Sequence, residues 1–441
     1  MPNIINNLSK NDAHIASFSY VGKVKNAIGT TIEAYGLKAS VGARCKIINK
    51  DTSIIADVIG FNNGITKLQP LTKPTGISPD SSVRIVNKIA SIEISDNLLG
   101  KAIDPLGNIL ISDGVSTPKP TKRIKLNGDP VSVSERTAIN KPFNTGIRAI
   151  NSMIPLGVGQ RVGLFAGTGV GKSVLLGMIT KSSEADIVVI GLVGERGREV
   201  TEFYNEILDD ESRKKAIVVA APADSSPILR LQCPEAATAI AEHYREQGLK
   251  VLLLIDSVTR YAQAQREVAL ASGEAPATKG YPPSVFSKLP SLIERSGKTK
   301  KGSITAIYTV LTEGDDLNDP IADAARGVLD GHIILSRELA GRGIYPAIDV
   351  TNSISRLSHV LITPNQLSVI NEIKSYFHTL NENIDLVGMG LIEKGKNKKL
   401  DIAVKNEDVL FGFIKQEVRK SETIKESVDK LVELNMKIKE L

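Results

Sequence analysis

One stretch of the chain restricts its fold more than any other. The run RVGLFA (Arg161–Ala166) has strand character and passes directly into Gly167-Thr168-Gly169-Val170-Gly171-Lys172-Ser173, followed by the apolar helical run VLLGM. Strand, glycine-rich loop and helix in that order make a phosphate-binding loop. Glycines let backbone N–H groups turn inward around a phosphate chain, and the helix N-terminus adds partial positive charge. In such a loop Lys172 reaches the β and γ oxygens of a nucleoside triphosphate and Ser173 ligates Mg²⁺. The strict pattern has Gly where Ala166 stands. Ala166 opens the loop, where a methyl group is tolerated.

The loop needs a sheet to stand on. After Gly159 the chain offers RVGLFAG, DIVVIGLVG, AIVVAAPAD, KVLLLIDS, SITAIYTVLT and HIILS, separated by helical stretches. Their β-branched, nearly continuous apolar character is that of a parallel sheet covered on both faces. PEAATAIAEHYREQG reads as an intervening helix, with Pro234 near its start and Gly248 just past its end. The expected class is α/β, doubly wound. VLLLID delivers Asp256 to the C-terminal end of a buried strand, where open parallel sheets place ligand groups. A strand-end turn alone would account for it; beside the loop, it can hold a Mg²⁺ hydration shell opposite Ser173. Gly194-Glu195-Arg196-Gly197-Arg198-Glu199 follows DIVVIGLV and opens on the same sheet edge. Glu195 can polarise a water and Arg196 can neutralise γ-phosphate charge. Spacing does not separate that from a surface salt-bridge cluster, the simpler account of Arg198 and Glu199.

The flanks differ. From about Tyr20 to Lys88, short alternating strands broken by Gly or Asn suggest a small β-barrel. TPKPTKRIKLNGDP (Thr117 to Pro130) has the composition of an extended surface connector. Beyond about Thr363 the pattern is helical, and Ile424, Val428, Leu431, Leu434, Ile438 and Leu441 form a stripe expected to pack on its own domain. The expected division is a barrel at 1–90, a nucleotide-binding domain at 91–360 and a helical domain at 361–441.

Composition excludes other classes. The longest apolar stretch, Ile187 to Val193, is far shorter than the roughly 18 to 20 residues that span a bilayer. MPNIINNLSKND lacks the order of a secretory signal, so a cytosolic location is expected. With 2 Cys, 5 His and neither CxxC nor HExxH, no disulfide framework or structural zinc is expected. There are 55 Lys and Arg against 49 Asp and Glu, a net +6 without a dominant stripe. The lysine runs at Lys298, Lys300 and Lys301 and at Lys394, Lys396, Lys398 and Lys399 carry no interleaved aromatics, so nucleic acid is not expected as a partner.

Long blocks carry a resemblance: IRAINSMIPLGVGQRVGLFAGTGVGKSVLLGM, GLVGERGREVTEF, IDSVTRYAQAQREVALASGEAPATKGYPPSVFSKLPSLIERSG, YTVLTEGDDLNDPIADAARGVLDGHIILSRELA and YPAIDVTNSISR. In this order they resemble the rotary ATPase superfamily related to catalytic β subunits of ATP synthase. Within it they are most similar to the flagellar type III export ATPases. The resemblance runs from about Val21 to Arg356 and continues more thinly beyond. It implies a RecA-like P-loop core with a parallel sheet, preceded by an N-terminal β-barrel and followed by a C-terminal helical domain, working on ATP with Mg²⁺.

By the same resemblance, Lys172 and Ser173 bind phosphate and Mg²⁺, Asp256 is the metal-side carboxylate, Glu195 orients water and Arg196 sits near the γ-phosphate. Tyr345 resembles the aromatic that stacks on adenine. Arg356 resembles the arginine finger offered to a neighbouring subunit, a group worth roughly 10³ to 10⁵ in rate. Glu195 and Arg356 in one chain equip a single gene product to build every site of a ring, and the superfamily implies a homohexamer. Glu195 also argues against the non-catalytic sister subunit, whose matching position lacks the glutamate. Implied partners are stator-like and central stalk-like export proteins, export-gate membrane proteins and chaperone–substrate complexes, at the inner face of the cytoplasmic membrane.

Departures from the family pattern are Asn151, where relatives show Asp, the run Cys233-Pro234-Glu235, which is expected to touch at most a subunit contact, and a short segment before the barrel. Flagellar relatives carry there a longer basic helix that docks a regulator. The nearest alternative is the ATPase of a virulence injectisome, though SVTRYAQAQRE resembles the flagellar form more than SLTRYARA. An RNA-translocating hexamer is the alternative from a different class; its barrel would need exposed aromatics and basic residues on one face. The chain has no Trp and few aromatics before Ser91.

Overall fold

The computed structural model describes residues 21–50, 52–95, 98–112, 122–312, 319–384, 389 and 395–440. The short segment before the barrel, residues 313–318, Lys394 and Leu441 therefore lie outside the described residues. The chain divides into two compact units, Met1–Ala90 and Ser91–Leu441.

In the first unit β1 (Gly22–Ile28), β2 (Thr31–Tyr35), β3 (Arg44–Asn49), β4 (Thr52–Asn62), β5 (Ile65–Pro70) and β6 (Ser82–Asn87) close into a barrel in the order β1-β2-β5-β4-β3-β6. Alternation sets its faces: Val24 is buried between exposed Lys23 and Lys25, and Ile32, Ile47, Val58, Leu68 and Val83 join it in the interior. The β4–β5 turn is Asn63-Gly64, with φ of 48° and 75°, the doubly left-handed pair that matches the twist of a two-residue hairpin. Arg44 and Asp57 face each other across β3 and β4 as a buried ion pair, Nε to Oδ1 at 2.9 Å.

In the second unit β7 (Ser91–Ile94) pairs with β10 (Lys122–Lys125). The stretch expected to be a surface connector thus contributes a strand, and the Leu126 that follows is fully buried, its carbonyl accepting from Arg295 at 2.8 Å. The large sheet holds β8 (Lys101–Ile103), β9 (Ile109–Ser112), β11 (Arg161–Ala166), β12 (Ile187–Val193), β13 (Ala216–Ala221), β14 (Lys250–Asp256), β15 (Gly297–Lys298), β16 (Ser303–Leu311), β17 (Gly331–Leu335) and β18 (Ile348–Ser355). Its order is β18-β17-β11-β16-β14-β12-β13-β8-β9, with β15 pairing to β16. From β17 to β8 every neighbour is parallel, while β18 and β9 close the two edges antiparallel. The C-terminal ends of β11, β12 and β14 therefore open on one side.

One helix differs from its expected form. It runs Pro227–Arg245, capped by Ser226 Oγ, so Pro234 is interior rather than initial. Ser-Pro is itself a strong start signal, and an interior proline removes only one helical hydrogen bond. Pro234 is buried against β12 where Gly191 admits the helix: a Cβ there would stand 3.2 Å from Ala237 Cβ.

The helices Pro364–Glu382, Lys398–Lys405, Glu407–Ile414 and Ile424–Glu440 share the hydrophobic core of the sheet unit. Leu431, Leu434 and Ile438 are buried in it, beside Ile150, Ile373 and Phe411, so the stripe packs on its own unit. Among the described residues no helix is long and apolar enough to cross a membrane.

A polar clasp ties the loop after Ile414 to the helix Arg148–Met153. Arg148 donates to both oxygens of Glu422, and Lys430 donates to Oε1 at 2.7 Å. Burial alone would push the Glu422 carboxyl up, but the Arg148 and Lys430 hydrogen bonds outweigh it and hold it below its ordinary value. A carboxyl with a lowered folded pKa contributes stability above its unfolded pKa, about 4.3, and loses it as pH falls through the folded value. Glu422→Gln is therefore expected to cost about 2 kcal/mol near pH 7. In thermal unfolding at a series of pH values, its difference from wild type should shrink below about pH 4.

Candidate active site

β11 ends at Ala166, whose methyl is buried opposite Leu311 of β16. Ala166 thus closes the strand, and the loop proper begins at Gly167. Thr168 and Gly169 are exposed and Val170 is buried, anchoring the loop to the core. Gly169 and Gly171 hold φ of 80° and 86°, a conformation that costs any residue with a Cβ about 1–2 kcal/mol. Gly171 caps the helix Lys172–Ser182. The ring of half-exposed Tyr345 lies over it, with Cδ1 and Cε1 3.3 Å from where a Cβ would stand.

Lys172 Nζ forms an ion pair with Asp256 Oδ1 and lies 3.6 Å from Glu195 Oε1. Asp256, 2% exposed, ends β14 beside Leu192 of β12. Glu195 follows β12 through Gly194 and faces a cleft of about 280 Å³ whose walls include Ser173, Arg198, Phe203 and Asp256. Burial pushes the Glu195 carboxyl up to about 7; Lys172 opposes the shift, while the Asp256 charge and Glu199 add to it. Oxygen donors, a lysine and a poised carboxyl thus converge from three sheet-edge turns.

Other expected residues lie elsewhere. Arg196 caps the short helix Gly197–Glu202 and points outward, its side chain 81% exposed and 3.9 Å from Glu199. The arginine in the cleft wall is Arg198. Arg356 follows β18 at the far edge of the sheet, separated from β14 and its Asp256 by the three strands β17, β11 and β16. It is exposed and donates to the Arg326 carbonyl at 3.2 Å. The fold does not bring it to its own chain's cleft.

The departures acquire a physical account. Asn151 Oδ1 accepts from Thr145, and its amide donates to Asn144 Oδ1 and to the Glu422 carbonyl at 2.9 Å. Only an amide supplies both functions there. Cys233 is fully buried, its thiol donating to the Leu192 and Val219 carbonyls. Burial raises its pKa, leaving it unreactive, and it makes no surface for a subunit contact. Sequence reading missed Gln416, whose backbone N–H donates to the Tyr345 carbonyl at 3.0 Å while its side chain bonds Arg148 N–H and the Gly146 carbonyl. It also missed Thr309, which donates to Asp256.

Residues 146–355 match the nucleotide-binding domain of the ATP synthase alpha/beta family, and residues 362–433 match the T3SS EscN ATPase C-terminal domain. The flagellum-specific ATP synthase of Pseudomonas aeruginosa is 46% identical over 94% of this chain and 92% of its own length. The chain belongs to the flagellum-specific ATP synthase family. Its structure is similar to that of the assembled ATPase EscN of the enteropathogenic E. coli type III secretion system, with a TM-score of 0.88, 40% identity, and coverage of 94% of this chain and 100% of that one. EscN in complex with its central stalk EscO matches at a TM-score of 0.86, again 40% identical over 94% and 100% of the two chains. Like other flagellum-specific ATP synthases, the protein is a nucleotide-binding ATPase.

Gly171→Ala tests the loop. It adds left-handed strain of about 1–2 kcal/mol and presses on the Tyr345 ring. A titration with a fluorescent ATP analogue should show about a tenfold loss of affinity with the fold intact by circular dichroism.

Proposed function

We propose that the protein is the homohexameric motor ATPase of a flagellar type III export apparatus, working at the cytoplasmic face of the membrane. The 46% identity to a flagellum-specific ATP synthase over 94% of this chain carries the system assignment. The likeness to EscN favours the same chemistry in an injectisome as the second reading. EscN's complex with its stalk supports a stalk-like partner here; stator-like proteins, the export gate and chaperone–substrate complexes complete the proposed set. The proposed functional division is 1–90, 91–360 and 361–441, its last boundary supported by the separate family match at 362–433.

Mg²⁺ fits the residues present. Ser173 and Asp256 offer hard oxygen donors on one cleft, and among the described residues no group of three or more His, Cys, Asp or Glu forms an all-protein cage. That is the donor set of an ion that takes one or two protein ligands and completes its shell from phosphate and water. Bound there, Mg²⁺ would neutralise phosphate charge.

In the proposed mechanism the N–H groups from Gly167 to Gly171 cradle the phosphates. Lys172 leaves its carboxylates for the β and γ oxygens. Glu195, with a pKa near working pH, orients and deprotonates the attacking water. Arg198 in the cleft wall faces the γ-phosphate side; Arg196, whose side chain points outward, would have to swing in to reach it. Tyr345, whose ring lies over Gly171, stacks on the base. Arg356 serves the neighbouring chain's site, as its place on the exposed far edge supports.

Glu195→Gln should lower kcat by about 10²- to 10⁴-fold while nucleotide binding persists. Lys172→Ala and Arg356→Ala should each be inactive alone. Mixed, they should regain activity, toward about a quarter of wild type for random assembly into a ring. A mixture that stays inactive overturns the shared site.

A further inference from the structure

Asp256 takes two donors on one oxygen. Lys172 Nζ and Thr309 Oγ1 both reach Oδ1, the hydroxyl at 2.6 Å, and among the described residues no donor reaches Oδ2. Thr309 is fully buried on β16, one residue beyond the Ile255–Tyr308 register pair. Its neighbours Ile307, Tyr308 and Val310 are buried too. A hydroxyl in such a strand costs stability unless it is bonded, and this one spends its proton on the carboxylate at the adjacent strand end.

We propose that Thr309 is a positioning residue for the cation side of the site: by occupying Oδ1 it fixes the carboxylate plane and turns Oδ2 toward the cleft. The bond does not depend on Lys172. When the lysine transfers to phosphate, the hydroxyl remains the group that keeps Asp256 from rotating and holds its charge in place. Hydrogen bonds to charged groups are among the stronger ones, so the loss should be measurable. The inference rests on Asp256 being the cation-side carboxylate.

The test is equilibrium binding of a fluorescent ATP analogue with and without Mg²⁺, for wild type, Thr309→Val, Thr309→Ser and Asp256→Asn. The quantity read is the gain in affinity that Mg²⁺ confers. In Thr309→Val that gain should fall by about tenfold, the fold-change of one charged-group hydrogen bond, and Thr309→Ser should stay near wild type. Thr309→Ala repeats the comparison with less bulk if the valine variant does not fold. A gain unchanged in Thr309→Val, an equal loss in Thr309→Ser, or a loss of the same size without Mg²⁺ would each overturn the proposal. Asp256→Asn separates the two levels: if it loses the gain while Thr309→Val keeps it, Thr309 alone is wrong; if it keeps the gain, the assignment of Asp256 fails.

Discussion

Burial of both faces of the parallel sheet is the constraint on which the site depends. Leu252, Leu253, Leu254 and Ile255 are all fully buried, each side chain contributing about 1.5–3 kcal/mol by leaving water. Their packing sets the register of β14 against β12 and β16, and that register places Asp256. The same holds for β11 and the phosphate loop, and for β12 and Glu195. Side chains far apart in sequence meet because their strands are parallel, buried and in step, so that all their ends open on one edge.

On that edge the electrostatics follow from partial burial. Asp256 and Glu195 are held close enough to share Lys172, yet Glu195 remains sufficiently withdrawn from water that its proton is held to about pH 7. Glu195 is thus poised between protonation states, in an environment where water does not fully screen its charge.

Much of this was legible in the sequence because buried parallel strands write themselves as unbroken apolar runs, and a glycine loop between strand and helix has few other uses. The barrel was legible from alternation, as at Lys23, Val24 and Lys25. Pro234 misled because its helix begins about two turns earlier, at a Ser-Pro signal that also reads as a turn. The connector after Thr117 misled because Lys122–Lys125 is mostly charged and exposed, yet finds a strand partner remote in sequence. Sequence reading set Arg196 toward the phosphate and Arg198 on the surface, whereas Arg198 lines the cleft and Arg196 is exposed, since which of two nearby arginines faces a cleft depends on how a short helix is aimed. Thr309 was invisible for a related reason: register between parallel strands is a property of packing. Tyr345 and Arg356 came from family resemblance alone.

The pairing of Lys172 with Asp256 carries a consequence for how the site tells ligands apart. A phosphate group alone must strip the lysine from a carboxylate that is 2% exposed, leaving a buried charge without its counter-ion, a costly condition. A cation alone meets a carboxylate whose charge is already matched. Phosphate and cation arriving together each settle the imbalance the other creates. On the proposed roles of Lys172 and Asp256, the ion pair would therefore act as an AND gate: it would reject half a substrate by electrostatics, before any part of the fold has moved.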